Sequence, residues 1–286
     1  MVIAASLIMG FTVVVTKLVM EELNPISTGL YTFLFSLAGS FAIVRIVMKK
    51  RWSESFRKYW KTMTVYGLIH GTGAIIFFFS LNLVGPNVFS FLLRFILIFT
   101  IILSVLFLKE RFNKFEAVGM LIAIAGALIM TYTAEKTFLV SALLVILLAA
   151  FISISSLITK LNVHRIDPMV INHIRIIMSF VLLFMAAFST SSLQVPSSGA
   201  VVLLAITGVL AAIGIGLSFK AMKLIDLSKI STMRAMDPFV VICFSFFLLS
   251  SIPTPRQFFG GIFIVFGILL TIIARHRPKL FVRWSP

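Results

Sequence analysis

The sequence predicts an all-α, polytopic membrane protein with ten transmembrane helices in two inverted five-helix repeats. Three observations predict it: the composition, the length of the apolar runs and the placement of the cations. Of 286 residues, 60% belong to the AVILMFWYC set and 12% are charged, and mean hydropathy is +1.13. Soluble chains average roughly 45–50% apolar and about 25% charged residues. A soluble core of this size could not hide so much apolar surface, which excludes a water-soluble enzyme. Disorder fails on the same ground.

About 20 apolar residues cross a bilayer as a helix. The first run, 2–20, begins at Met1 without a basic flank, so it reads as a span and no cleavable signal peptide is expected. Glu21-Glu22-Leu23-Asn24-Pro25 separates it from 27–46. A basic loop leads to 63–83, and Gly85-Pro86-Asn87 separates that run from 87–108. The fifth and sixth runs are 115–133 and 138–158. Ile166-Asp167-Pro168 is helix-start chemistry ahead of 169–189, and 200–220 follows. The last two, 230–250 and 257–275, flank Ser251-Ile252-Pro253-Thr254-Pro255. β-Barrel strands would alternate over about ten residues, whereas these runs are continuous.

The net charge of +16 is a matter of position. Alternate loops on one side hold nineteen Lys and Arg: seven in 45–61, three in 109–114, two in 160–165, three in 220–229 and four in 275–283. The other side holds only Lys136 and Arg256, and Lys17, Arg94, Arg175 and Arg234 fall within spans. This asymmetry predicts that both termini are cytoplasmic, in a cell (plasma or inner) membrane, and it removes the case for nucleic acid as a partner. In the longest loop, Trp52, Phe56, Tyr59 and Trp60 recur at helical spacing among basic residues, as in a short interfacial helix attracted to anionic lipid. The single Cys243 excludes an intrachain disulfide.

A shift of 141 residues aligns Gly67 with Gly208, Gly73 with Gly214, Gly119 with Gly260 and Gly126 with Gly267. Ser90/Ser231 and Ser104/Ser245 coincide too, and a shift of 143 brings Lys17 to Lys160 and Pro25 to Pro168. The halves are 1–137 and 138–286. Five spans in each half is an odd number, so the halves enter the membrane from opposite sides. Such inverted repeats occur in secondary transporters, with the solute held near the midplane between them.

The same residues carry a family resemblance. Gly10-x6-Lys17-x7-Pro25 resembles the first-helix pattern of the drug/metabolite transporter superfamily, in its EamA-type ten-helix branch. Leu108-Lys109-Glu110-Arg111-Phe112 before Gly119-x6-Gly126, and Arg234-Ala235-Met236-Asp237-Pro238 before Gly260-x6-Gly267, resemble its two later signatures. Met9, Val13, Leu97 and Ser251 depart from residues common there. The resemblance implies export or exchange of a small metabolite such as an amino acid, nucleoside or sugar phosphate.

Ionisable groups inside spans are costly and usually face a partner or a wet cavity. Asp237 is the carboxylate lying well within the runs, with Arg234 three residues before it on the same helix face. They read either as a pathway pair, with Asp237 a proton-coupling group, or as an ion pair bracing a kink. Pro238 frees the carbonyl of Arg234 and is expected to bend that helix. Asn172, Arg175 and Ser179 form a polar stripe on the seventh helix, read as substrate contact or interhelical glue. Arg94 lies about two turns into the fourth helix, deep enough to face a cavity. His70, between Gly67 and Gly71, is a further candidate, with a hydrogen-bonded packing histidine as the competing account. Lys17 and Lys160 are expected to cap their own helix ends.

No metal-ligand spacing, P-loop or second deep acid accompanies these residues. The expectation is therefore no cofactor, no metal and no catalytic residue, with any driving force a gradient. The function predicted is secondary transport, by alternating access, of a small organic solute bearing a carboxylate or phosphate. A polytopic membrane enzyme and a non-transporting scaffold or lipid-handling protein are the competing classes.

Overall fold

The computed structural model describes the backbone of residues 1–48, 51–108, 114–131, 136–224, 230, 234 and 236–276. Among them are ten helices: α1 (Val2–Val19), α2 (Pro25–Met48), α3 (Arg51–Leu92), α4 (Phe95–Leu108), α5 (Lys114–Thr131), α6 (Lys136–Asn162), α7 (Pro168–Ser189), α8 (Ser198–Leu224), α9 (Asp237–Leu249) and α10 (Pro255–His276). Among the described residues, seven helical segments are long and apolar enough to cross a membrane. Large apolar side chains such as Leu106, Phe107, Leu121 and Phe247 lie exposed on the outside. The chain is an all-helical, multi-pass membrane protein, and that surface faces lipid.

Local chemistry sets the helix starts. Pro25, Pro168 and Pro255 each open a helix, where a missing N–H costs nothing. Asn24 Oδ1 accepts from Ser27 N at 2.8 Å and Asp167 Oδ1 from Met169 N at 2.8 Å, satisfying first-turn donors. Thr254 and Gln257 cap each other's backbone N–H groups in a reciprocal box at 3.0 and 3.3 Å.

Breaks within the spans position the site. In α3, Tyr59 and Gly85 leave helical geometry, Gly85 at φ +73°, a value glycine reaches without a Cβ clash, and Pro86 restarts the helix. A second break falls at Leu93–Arg94, where Arg94 N bonds Phe91 O at 3.0 Å and Leu97 N bonds Arg94 O at 3.0 Å. These tighter bonds replace the α pattern. The fourth span is thus two pieces, since the 14 residues of α4 rise only about 21 Å. The ninth expected span also divides: Met236 lies in a turn and α9 begins at Asp237. Pro238 sits in the first turn of α9, where it starts a helix rather than bending one in its interior. The side chains of the basic loop before Lys58, with Trp52 and Phe56, lie outside the described residues.

In the bundle, α1 packs on α8 and α9, α2 on α7 and α8, α3 on α6 and α7, α4 on α6, and α5 on α10. The α5–α10 contact is a close one. A Cβ added at Gly126 would stand 2.7 Å from Gly260 O, and one added at Gly267 would stand 2.5 Å from Gly119 O. The helices therefore run antiparallel with their backbones touching, as small residues permit in lipid. Gly126→Leu is expected to cost about 1–3 kcal/mol by overpacking this seam, read as a lowered melting temperature in detergent.

Lys17 and Lys160 differ from expectation. Lys17 Nζ crosses to Asn82 O and Oδ1 on α3, both at 2.9 Å, and Lys160 Nζ crosses to Met222 O on α8 at 3.1 Å. A neighbouring helix offers these ammonium groups a shielded carbonyl, so they join helices rather than cap their own.

Candidate functional site

Between the helices lies a cavity of about 250 Å³. Its wall draws on α1, α2, α3, α4, α6, α7 and α8, and on Ile230, Arg234 and the first residues of α9. Toward one end an apolar cluster of Val19, Leu23, Ala200 and Leu204 closes the bundle. Above this cluster the α1–α2 and α7–α8 connections are hydrogen-bonded. Asn24 Nδ2 and Ser27 Oγ both donate to Ser192 O, at 2.6 and 3.0 Å, and Ser197 N and Oγ both donate to the Glu22 carboxylate, at 2.6 and 2.8 Å. Toward the other end the lining reaches Phe219, Met222 and Ile230.

The deepest charges form two groups. In the first, Asp237 Oδ2 lies 3.3 Å from Arg94 Nη1 and 3.1 Å from Arg234 Nε. Arg94 Nη1 also donates to Arg234 O at 2.7 Å, and Arg94 Nε to Ser90 O at 3.4 Å. Arg94 thus occupies the break of the fourth span and ties it to the break of the ninth, with one carboxylate and two freed carbonyls compensating its burial. Asp237 Oδ1 makes no hydrogen bond, and the Ser6 hydroxyl faces the same carboxylate. Arg234 is the wetter partner, with its side chain 29% exposed.

The second group surrounds Arg175. Its Nε donates to Asn172 Oδ1 at 3.0 Å, and Asn172 Nδ2 is fixed by Ala212 O on α8 at 2.9 Å. The guanidinium lies over the Phe33 ring, 5.7 Å from its centroid. Arg175 is 3% exposed, and among the described residues no carboxylate pairs with it. His70 and Tyr66 stand within reach of its field, and His70 Nδ1 and Thr32 Oγ1, both on the cavity wall, make no hydrogen bond.

Of the residues singled out in the sequence, Arg94, Arg175, Arg234, Asp237 and His70 line the cavity. Asn172 and Ser179 do not: Asn172 orients Arg175 from behind, and Ser179 Oγ is buried without a partner. The glycines beside His70 pack on Met178 and Leu182 of α7, which turns the histidine toward the cavity. Thr32 and Phe33 carried no sequence signal, because a Thr-Phe pair in an apolar helix looks like every other core position.

The EamA-like transporter family model matches this chain twice, over residues 1–132 and 139–273. The chain belongs to the EamA-like transporter family. Membership brings the coarse function, transport of small solutes across a membrane. Among solved structures, one titled only "Crystal structure of protein" has a TM-score of 0.69 at 16% identity, covering 96% of this chain and 98% of that one. At that identity the likeness concerns the EamA-like fold alone. No curated protein matches the chain.

Proposed function

We propose that this EamA-like protein is a secondary transporter that moves a small organic anion by alternating access. The anion carries a carboxylate or phosphate, amino-acid-like solutes included, in export or exchange. The proposal includes ten spans in two inverted repeats, 1–137 and 138–286, with both termini on the cytoplasmic side of a cell membrane. The packing supports a two-fold repeat, and the antiparallel crossing of the equivalent helices α5 and α10 supports its inversion. Exchanging each helix with the one five later turns α1–α8 into α6–α3, α2–α8 into α7–α3 and α4–α6 into α9–α1, all of which are contacts. The same exchange maps α2–α7 and α5–α10 onto themselves, and the Lys17 bond from α1 to α3 onto the Lys160 bond from α6 to α8.

One observation carries the charge of the solute. Arg94 and Arg234 share the Asp237 carboxylate, whereas Arg175 borders the cavity with no carboxylate of its own among the described residues. A buried charge without a partner costs several kcal/mol, which an anionic solute would offset on binding. In proteoliposome counterflow with panels of carboxylates and phosphates, Arg175→Gln is expected to lose about ten- to a hundredfold in anion flux. Its thermal stability should be largely kept, since the loss of the Asn172 bond and the Phe33 contact is offset by removal of a buried charge without a counter-ion. Wild-type flux in this variant for every anion would sink the proposal.

Asp237 is the proposed proton-coupling group, because Oδ1 has no hydrogen-bond partner among the described residues while Oδ2 holds two arginines. Asp237→Asn should stop uptake driven by a pH gradient and retain counterflow. Unchanged pH-driven uptake removes Asp237 from that role.

A further inference from the structure

The wall around Arg175 has a chemistry of its own. Six phenylalanines, Phe33, Phe77, Phe78, Phe89, Phe151 and Phe219, come from four helices to line the cavity. Ten hydroxyl side chains also line it, and six of them have committed their protons. Thr12, Ser36, Ser90, Thr100, Thr207 and Ser218 each donate to a main-chain carbonyl, at 2.7 to 3.1 Å. In these six positions the walls present methyls, methylenes and rings, which leaves the hydroxyls of Thr16, Thr32, Ser155 and Ser156 as the smaller share that faces a hydroxylated guest. A polyol placed here would surrender hydration at each hydroxyl for incomplete replacement, a penalty paid at every group. An aromatic or branched apolar body loses nothing of that kind and gains ring contacts.

Resting on the anion-transport reading, we infer that the solute is an organic acid with a compact apolar, aryl-type body, and that hydroxylated acids and sugar phosphates are excluded. Its carboxylate takes the open side of the Arg175 guanidinium, whose other side is set by Asn172 and Phe33. Its body lies among the phenylalanines. Phe33 is the specificity-determining residue at the junction, since it touches the cation and borders the space the ring would fill. The volume of about 250 Å³ suits a guest of one ring and a short acid arm.

The test is equilibrium binding to the full chain in detergent, with phenylacetate and 3-phenylpropanoate against phenylacetamide, gluconate and glycerol 3-phosphate. Wild type should bind the aryl acids at least about tenfold tighter than the other three. Arg175→Gln should abolish the preference for acid over amide. Phe33→Leu, which keeps the charge, should weaken the aryl acids while leaving acid favoured over amide. If gluconate or glycerol 3-phosphate binds as tightly as the aryl acids, and depends on Arg175, the apolar-acid class is overturned and the anion site stands. If the amide equals the acid in wild type and in Arg175→Gln, both readings fall. If no panel member binds the wild type, the class is wrong, and the counterflow assay decides the anion reading separately.

Discussion

Arg94→Gln is expected to destabilise the protein by about 3–5 kcal/mol, the usual consequence of removing one partner from a buried ion pair. The loss has two sources. Asp237 keeps Arg234 at 3.1 Å but loses the more buried of its two cations, and the Arg234 carbonyl loses the donor at 2.7 Å. Asp237→Asn should also destabilise, because Arg94 then keeps only carbonyls. The double variant should cost less than the sum of the singles, with a coupling on the order of 1–3 kcal/mol. Unfolding of detergent-solubilised single and double variants measures that coupling directly. Strict additivity would mean that the two side chains do not act as a unit. Uptake driven by a pH gradient should fall at least about tenfold in all three, since the clamp joins two helix breaks that face the same cavity.

This clamp also marks where the sequence stopped being readable. Helix starts at Pro25, Pro168 and Pro255 follow from local chemistry, since the cap residue stands beside its proline. The inward placement of Arg94, Arg175 and Asp237 follows from the expense of charge in hydrocarbon. The break at Leu93–Arg94 has no such signal: neither Pro nor Gly stands there, and its freed carbonyl is answered by the Arg94 side chain itself. Asp237 was legible as a partner of Arg234, three residues away, but its second cation lies at the break between α3 and α4, in the other half of the chain. A count of buried cations made Arg94 and Arg175 alike. Only the fold separates the arginine paired with Asp237 from the one that has no carboxylate among the described residues. The aromatic surround was hidden for a different reason, since thirty phenylalanines in a membrane chain carry no address.

Locking the α1–α2 connection to the α7–α8 connection should stop transport and spare binding. These segments are held at one end of the bundle by bonds from Asn24, Ser27 and Ser197, above the apolar plug of Val19, Leu23, Ala200 and Leu204. Ser27 Oγ also accepts from Gln194 N at 3.0 Å, so residue 27 lies against the main chain at 194, within reach of a short crosslinker. For alternating access these bonds must part in every cycle, because two connections of different repeats cannot separate while they hold. A population argument sets the size of the effect: a covalent link removes the open state altogether, whereas a lost hydrogen bond only shifts its share. Ser27→Cys with Gln194→Cys, in a Cys243→Ser background because Cys243 is exposed, is to be joined by a short reducible crosslinker. Counterflow should fall at least about tenfold on crosslinking and return on reduction, while equilibrium binding in detergent stays within a few-fold of the uncrosslinked protein. Glu22→Ala, which releases Ser197 alone, should move the resting population toward opening at this end and raise labelling of a cysteine beneath the plug. Full counterflow through the crosslinked protein would mean that the solute path does not open between these two connections.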